Sequence, residues 1–163
     1  PLVRNPGKLD ALAWSLRMRW YTWRAPDGPG QPSPNVRLFV LFHDPEVSPS
    51  LPHSVGLTSG LMGVIHAFAS HAQHGSNEFI IAHELMHTVG ANDRYDLATN
   101  QPLFPEGYAE PELDPLLPQR KAEIMGGRIP ITQRRSEIPY SLEEVIVGPL
   151  TAREIAWTPR RSR

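Results

Sequence analysis

Eleven residues constrain the fold more tightly than any other part of the chain, and they read His83-Glu84-Leu85-Met86-His87-Thr88-Val89-Gly90-Ala91-Asn92-Asp93. Four residues advance a helix by about 400°, so His83 and His87 would lie one turn apart on the same face. Glu84 is displaced by about 100°, beside the imidazole pair. This spacing predicts that both imidazoles bind one metal ion and that the Glu84 carboxylate reaches a water molecule on it.

Asp93 is the nearest candidate for a third ligand. A catalytic zinc takes three protein ligands and leaves the fourth position to water. On a continued helix Asp93 would point away from His87, so the helix must end before it. Gly90 permits that end, because glycine adopts positive-φ conformations at little steric cost. We therefore predict that the chain turns back at Gly90 and delivers Asp93 to the metal.

Other side chains offer alternative ligands. Glu106 and Glu110 lie about 20 residues beyond His87, a spacing typical of zinc enzymes whose third ligand is a Glu on a following helix. Pro105 and Pro111 disfavour a helix there. We expect Asp96 to cap a turn rather than to support a ligand. The remaining histidines are expected to be surface or hydrogen-bonded structural residues, and they are His43, His53, His66, His71 and His74.

Hydrophobic spacing predicts the elements on either side of this motif. Apolar residues at steps of three and four predict an amphipathic helix over 8–23. Two β-rich runs over 36–42 and 61–69 predict strands of one sheet, and the active-site helix is expected over 79–89 with cap residues at 75–78. Further helical spacing occurs at 141–147 and 151–157, the latter beginning with a capping box formed by Thr151 and Glu154.

Composition limits the classes of function. The chain has 163 residues, 18 of them proline, a net charge of −1 and no cysteine. The absence of cysteine excludes disulfide scaffolds, thiolate metal sites and cysteine nucleophiles. The near-zero net charge gives no indication of nucleic acid as a partner, and no apolar run is long enough to span a membrane. The proline-rich segment 96–120 predicts a long irregular connection.

These elements predict an α+β fold with a mixed sheet, an N-terminal helix, a buried active-site helix and an irregular proline-rich part that ends in a final helix. We expect one catalytic domain over 1–163, divided into an upper part over 1–92, a lower part over 93–158 and a solvated basic tail over 159–163. The chain begins with Pro1 rather than Met. We therefore expect a domain trimmed from a longer precursor. Separately, we expect a monomer that works outside the cytoplasm of a bacterium, secreted or periplasmic.

The pattern H-E-x-x-H-x-x-G-x-x-D resembles the metzincin clan of zinc peptidases, in the Asp-ligand variant seen in the snapalysin family of small bacterial proteases. The clan also has a methionine in a tight turn beneath the metal, and Met125 in Glu123-Ile124-Met125-Gly126-Gly127-Arg128 matches it. The resemblance implies one zinc ion with a defined set of roles: His83, His87 and Asp93 as ligands, Glu84 as general base and Met125 as the hydrophobic floor.

The resemblance also implies how a substrate would bind. Residues 126–131 would form one wall of the pocket for the residue after the scissile bond, and strand 61–69 would be the edge strand that pairs with an extended peptide. Two departures concern the metal site. Asp93 stands where a third His is commoner, and no tyrosine follows Met125 by two residues. The side chain that stabilises the transition state is therefore not placed, and the candidates are Tyr95, Tyr108 and Tyr140.

Three hypotheses for function follow. The first is a zinc-dependent endopeptidase that takes peptides or proteins as substrates. The second is a zinc-dependent amidohydrolase or a processing enzyme with a narrow target. The third is a catalytically idle zinc module that binds a partner. The presence of Glu84 argues against the third, since a purely structural site normally fills its fourth position with protein.

Overall fold

The computed structural model describes Leu16, Arg17, Trp20, Arg24 and residues 35–58 and 61–157. The chain divides into two compact units, Pro1–Arg37 and Leu38–Arg163, and every candidate site residue belongs to the second. In the first unit the four described residues up to Arg24 are helical, and the Arg24 guanidinium carbon lies 4.4 Å from the centre of the Trp20 ring. The rest of the helix predicted over 8–23 and the tail 159–163 lie outside the described residues.

A three-stranded sheet leads up to the site. Its strands are β1 (Arg37–His43), β2 (Val55–Leu57) and β3 (Met62–Phe68), in the order β1-β3-β2, with β2 antiparallel to β3. The strands predicted over 36–42 and 61–69 are thus confirmed. The prediction that the second of them is an edge strand is wrong, because β3 is hydrogen-bonded on both sides. The edge strand next to it is β2. This strand has only three residues, it follows a segment rich in Pro, His and Ser, and it is too short to show a pattern of alternation.

Helix α1 (His74–Thr88) packs on β2 and β3. The prediction that residues 75–78 cap it is wrong, since the helix begins at His74 and no side chain caps its N-terminus. Tertiary hydrogen bonds occupy these polar side chains instead. The Ser76 hydroxyl donates to the Pro139 carbonyl at 3.0 Å, and the Asn77 amide exchanges hydrogen bonds with the backbone of Phe68 at 2.8 and 3.1 Å.

The rest of the second unit is mostly irregular, as the prolines predicted. Among the described residues between α1 and β4 (Ala122–Glu123), isolated β-bridges are the only regular structure. β4 pairs in parallel with β7 (Val145–Ile146), and β5 (Ile129–Pro130) pairs antiparallel with β6 (Ser136–Glu137). The final helix, α2 (Pro149–Glu154), is confirmed in a shorter form.

Two predictions for this C-terminal part are wrong. The segment 141–147 is not a helix, because a 3-10 turn over Leu142–Glu144 leads directly into β7. The β-branched Val145 and Ile146 favour the strand. Thr151 and Glu154 form no capping box, since Gly148 precedes the first helical residue and both side chains bond to other parts of the chain.

The core of the second unit lies where α1 meets the loop after β4. Its buried centre is formed by Phe79, Ala91, Ile124 and Met125, and partly buried side chains of α1, of β7 and of the residue after α2 pack against it. The architecture is therefore a small mixed α+β fold. No helix among the described residues has the length and apolar character needed to cross a membrane.

Candidate metal centre

The end of α1 sets the geometry of the site. Gly90 has a φ of +108°, the Gly90 N–H donates to the His87 carbonyl at 3.1 Å, and the Ala91 N–H donates to the Met86 carbonyl at 3.0 Å. These two bonds form a Schellman motif, in which the residue after the helix cap takes a positive φ. The reversal predicted at Gly90 is confirmed, and it carries the chain back towards the imidazole pair.

Three side chains converge beyond this turn. Oδ1 of Asp93 lies 3.2 Å from Nε2 of His83 and 3.1 Å from Nε2 of His87, and the two imidazole centres are 4.8 Å apart. Ligand atoms on a tetrahedral zinc, at bond lengths of about 2.0–2.2 Å, are separated by about 3.3 Å. The two nitrogen–oxygen distances are close to this value. The His83, His87 and Asp93 group can therefore hold a metal ion.

Backbone carbonyls orient both imidazoles. Nδ1 of His83 lies 2.8 Å from the Ile124 carbonyl oxygen, and Nδ1 of His87 lies 2.9 Å from that of Ala91. A carbonyl oxygen only accepts, so Nδ1 carries the proton in each ring. Each Nε2 then points to the shared carboxylate and is the atom available to a metal. This arrangement, with the distal ring nitrogen fixed by the protein, is typical of metal-binding histidines.

The electrostatics of the group reflect its closeness. Burial alone would raise the pKa of Asp93, but hydrogen bonds from His83 and His87 hold the pKa of this carboxyl well below its usual range. Burial alone would lower the pKa of His87, but its hydrogen bonds to Asp93 and to the Ala91 carbonyl raise that pKa above the ordinary value. Asp93 is therefore ionised at neutral pH, which is the form in which a carboxylate binds a metal.

Glu84 lies beside this group and is 7% exposed. Burial raises the pKa of its carboxyl, and the charges of His83 and His87 act in the opposite direction. Its Oε2 atom is buried without a hydrogen-bond partner among the described residues. A buried carboxylate oxygen normally has a partner, so this oxygen can accept a hydrogen bond from a water molecule or ligand bound at the site. The predicted place of Glu84, next to the imidazole pair but outside the ligand group, is confirmed.

Strand β2 approaches α1 closely at this point. A Cβ atom at Gly56 would overlap the Glu84 carbonyl oxygen and would lie only 2.7 Å from the His87 Cβ atom. Residue 56 must therefore be glycine for the edge strand to pass the His87 turn of the helix. One glycine in an irregular segment carries no distinctive signal, so this role of Gly56 could not be predicted from the sequence.

Met125 is fully buried in a tight turn over 124–126. The residue before it presents its carbonyl to His83, and the Met125 carbonyl accepts the Arg94 N–H at 2.8 Å. The turn itself is held by Glu123, a carboxylate that is 1% exposed. It accepts hydrogen bonds from the Met125 N–H at 2.7 Å and the Gly126 N–H at 3.0 Å. The local sequence around Met125 gives no sign of this role of Glu123.

The three candidate tyrosines occupy different places. Tyr95 lines the cleft beside the metal group, with its ring centre 6.3 Å from that of His83. Burial, followed by the charges of Asp93 and Glu84, raises the pKa of Tyr95 to about 12. Tyr140 lines the same cleft but is 75% exposed. Tyr108 is not among the cleft residues and packs edge-on against Phe104, with ring centres 5.4 Å apart.

The alternative ligands lie elsewhere. Glu110 accepts hydrogen bonds from Arg120, and Glu106 is exposed and outside the ligand group. Asp96 caps a turn, as predicted, by accepting the Ala98 and Thr99 N–H groups at 3.0 and 2.8 Å. Among the other histidines, His66 bonds to His43 at 2.8 Å and lines the cleft with His53.

His83 of this group borders a cleft of about 810 Å³. His83 and Glu84 lie in its wall together with Gly126, Gly127 and Arg128, which are the residues of the predicted wall 126–131 that reach the cleft. Ile129 and Pro130 are buried in β5. The volume lies within the range typical of sites for small molecules or short peptide segments. No protein-family model, curated protein or solved structure matches the chain.

Proposed function

We propose that this protein is a zinc-dependent endopeptidase of the metzincin type. One observation carries the proposal: a group of two imidazoles and one carboxylate adjoins a buried carboxylate oxygen without a partner, and His83 and Glu84 both face an open cleft. A structural metal site would be closed by a fourth protein ligand, and the described residues supply only three. The combination favours a site that binds a reactant over a purely structural one.

The donor set fits zinc. Two neutral imidazoles and one carboxylate form the His₂–carboxylate group found in catalytic zinc sites, and imidazole nitrogen is a preferred ligand of this ion. The unpartnered Oε2 of Glu84 supports the same assignment, since a water molecule bound in the open position would supply its missing hydrogen bond. The ligands would be His83, His87 and Asp93, with Glu84 outside the coordination sphere.

Glu84 is placed to move the proton of the reaction. Zinc, when bound, acts as a Lewis acid and lowers the pKa of a coordinated water towards neutrality. The Glu84 carboxylate accepts the proton of the attacking water and later passes it to the departing amine.

Tyr95 is the best placed of the three tyrosines for stabilising negative charge. It lies next to His83 and Asp93 on the cleft wall, and its high pKa keeps the hydroxyl protonated at neutral pH. A protonated hydroxyl donates a hydrogen bond to the oxyanion that forms as water adds to the scissile carbonyl. Tyr140 also borders the cleft, but its side chain is mostly in solvent.

The substrate would lie along β2 rather than β3. β2 is an edge strand, it passes directly against the His87 and Glu84 turn of α1, and residues 49–54 that lead into it line the cleft. An edge strand offers unpaired backbone groups to an extended peptide, which gives binding with little dependence on side chains. This arrangement suits hydrolysis within a peptide chain.

Incubation of the purified full chain with unfolded casein tests the proposal. We expect about one zinc ion per chain by metal analysis, proteolysis that a chelator abolishes and added zinc restores, and cut sites that mass spectrometry can identify. Glu84→Gln provides the matched control, since it preserves side-chain volume and the zinc ligands. Substoichiometric zinc would refute the metal site. Stoichiometric zinc without cleavage of casein or of the chain itself would favour the idle module.

A further inference from the structure

Asp93 needs external support to act as a ligand. It lies in the irregular segment after the α1 turn, and its side chain is 34% exposed. The histidines, by contrast, are fixed by a helix and by two carbonyls. A ligand on an unsupported loop must lose its conformational freedom when metal binds, which weakens the affinity.

Glu154, the last residue of α2, holds the residues on both sides of Asp93. Its Oε2 accepts the backbone N–H of Asn92 at 3.1 Å, and its Oε1 accepts the Asn92 side-chain amide at 3.0 Å. Oε1 also pairs with Nη2 of Arg94 at 2.6 Å. The side chains of Glu154 and Arg94 are largely shielded from solvent, since 21% of the first and 13% of the second are exposed. A bonded carboxylate in such surroundings fixes geometry better than an exposed ion pair.

Arg94 also fixes the backbone around Asp93. Its Nη1 donates to the carbonyl oxygens of Asn92 at 3.0 Å and Asp93 at 3.3 Å, and its N–H donates to the Met125 carbonyl at 2.8 Å. The Arg94 guanidinium thus bonds to the backbone on both sides of the Asp93 N–H, and Glu154 bonds to the same guanidinium.

The other end of α2 is joined to the turn that orients His83. Glu123 accepts the Gly148 N–H at 3.0 Å and the Thr151 hydroxyl at 2.7 Å, in addition to the N–H groups of the Met125 turn. One short helix therefore contacts the supports of two ligands: the 124–126 turn behind His83 through Glu123, and the Asp93 segment through Glu154.

We propose that Glu154 is a positioning residue that presets Asp93 for metal binding, with α2 as the platform that keeps Asp93 in register with His83. This inference rests on the proposed metal site. Glu154 touches neither the ligand atoms nor the cleft, so its effect is on the affinity and geometry of the metal and on order in the Asp93 segment. Outer partners of metal ligands typically contribute about 10–100-fold to affinity.

Three variants of the full chain test this role: Glu154→Ala, Glu154→Gln and, as matched control, Glu110→Gln. Glu110 also accepts a backbone N–H and binds an arginine, Arg120, but it has no hydrogen bond to the residues around Asp93. We expect zinc affinity, measured by chelator competition, to fall about 10–100-fold in Glu154→Ala, less in Glu154→Gln and not in Glu110→Gln. The cobalt-substituted absorption spectrum should change in Glu154→Ala, change less in Glu154→Gln and stay the same in Glu110→Gln.

Amide hydrogen exchange of the metal-free protein gives a readout independent of the metal. The Asn92 amide should exchange faster in Glu154→Ala and at the wild-type rate in Glu110→Gln. Equal zinc affinity and equal Asn92 exchange in wild type and Glu154→Ala would overturn the positioning role while leaving the metal site intact. Failure of the wild type to bind zinc would instead refute the proposed function. If Glu154→Ala does not fold, the isosteric Glu154→Gln is judged by the same criteria.

Discussion

Ile124 presents its carbonyl oxygen to Nδ1 of His83 at 2.8 Å, across 41 residues of sequence. This bond joins the H-E-x-x-H helix to the methionine turn. It fixes the ring orientation of His83, and it joins the candidate metal site to a turn whose own position depends on burial of Met125. Packing beneath the site is therefore coupled to ligand geometry.

The first prediction concerns Met125. Met125→Ala should lower the free energy of unfolding by about 2–5 kcal/mol, because a fully buried side chain is replaced by a cavity. Met125→Leu preserves the volume and should cost less than about 1.5 kcal/mol. Urea denaturation of the metal-free proteins measures both. Zinc affinity should fall in the alanine variant only, and equal affinity in all three proteins would show that the turn does not influence His83.

The second prediction concerns Glu84. Glu84→Gln should keep about one zinc per chain, since the residue is not a ligand, and should lose turnover by about 10²–10⁴-fold, the usual contribution of a general base. Metal analysis and initial rates of peptide cleavage measure the two effects separately. Comparable rates in variant and wild type, with zinc bound, would rule out Glu84 as the base.

The third prediction concerns Asp93. Asp93→Ala removes a ligand and should weaken zinc binding by more than about 100-fold, beyond the usual effect of an outer partner. Asp96→Ala, three residues on, removes only a turn cap and should leave the affinity unchanged. Chelator competition compares the two variants. Unchanged affinity in Asp93→Ala would point to a different third ligand.

The site was largely predictable from sequence because its information is local. A four-residue spacing and one glycine place His83, His87 and Asp93, and the same turn that ends α1 gives the Ala91 carbonyl that orients His87. The supports of the site were not predictable in this way. Thr151 and Glu154 match a capping box, yet their side chains bond to Glu123 and Asn92, 28 and 62 residues away in sequence. Hydrophobic spacing and cap patterns carry no information about such long-range pairings.

The sheet shows the same difference between what local sequence can and cannot predict. The seven-residue strands β1 and β3 carry enough β-rich sequence to be recognised, whereas β2 has three residues and no distinctive alternation. The resemblance to the clan assigns the edge position to 61–69, and β2 carries no local signal that would correct that assignment. Strand order depends on long-range pairing, and the local pattern of β3 does not reveal that both of its sides are occupied.

The last prediction compares two helix ends. α1 and α2 both end in a Schellman motif: Ala91 bonds back to Met86 at 3.0 Å, and Trp157 bonds back to Ala152 at 2.8 Å. The positive-φ residue is Gly90 in α1, but it is Ala156 in α2, with a φ of +54°. A left-handed conformation costs a non-glycine residue about 1–2 kcal/mol. Glycine costs about 0.4–1 kcal/mol through the greater freedom of the unfolded chain, so the strain is the larger quantity.

Opposite substitutions at these two positions should therefore change stability in opposite directions. Gly90→Ala should lower the free energy of unfolding, and Ala156→Gly should raise it, each by about 1 kcal/mol or less after the two contributions are combined. A Cβ atom at residue 90 would meet only the Glu154 carbonyl oxygen at 3.5 Å, an ordinary contact, so no clash obscures the backbone effect. Urea denaturation of the metal-free variants measures both changes. A stabilising Gly90→Ala would mean that the chain does not reverse at residue 90, and Asp93 would then have no route back to the two histidines.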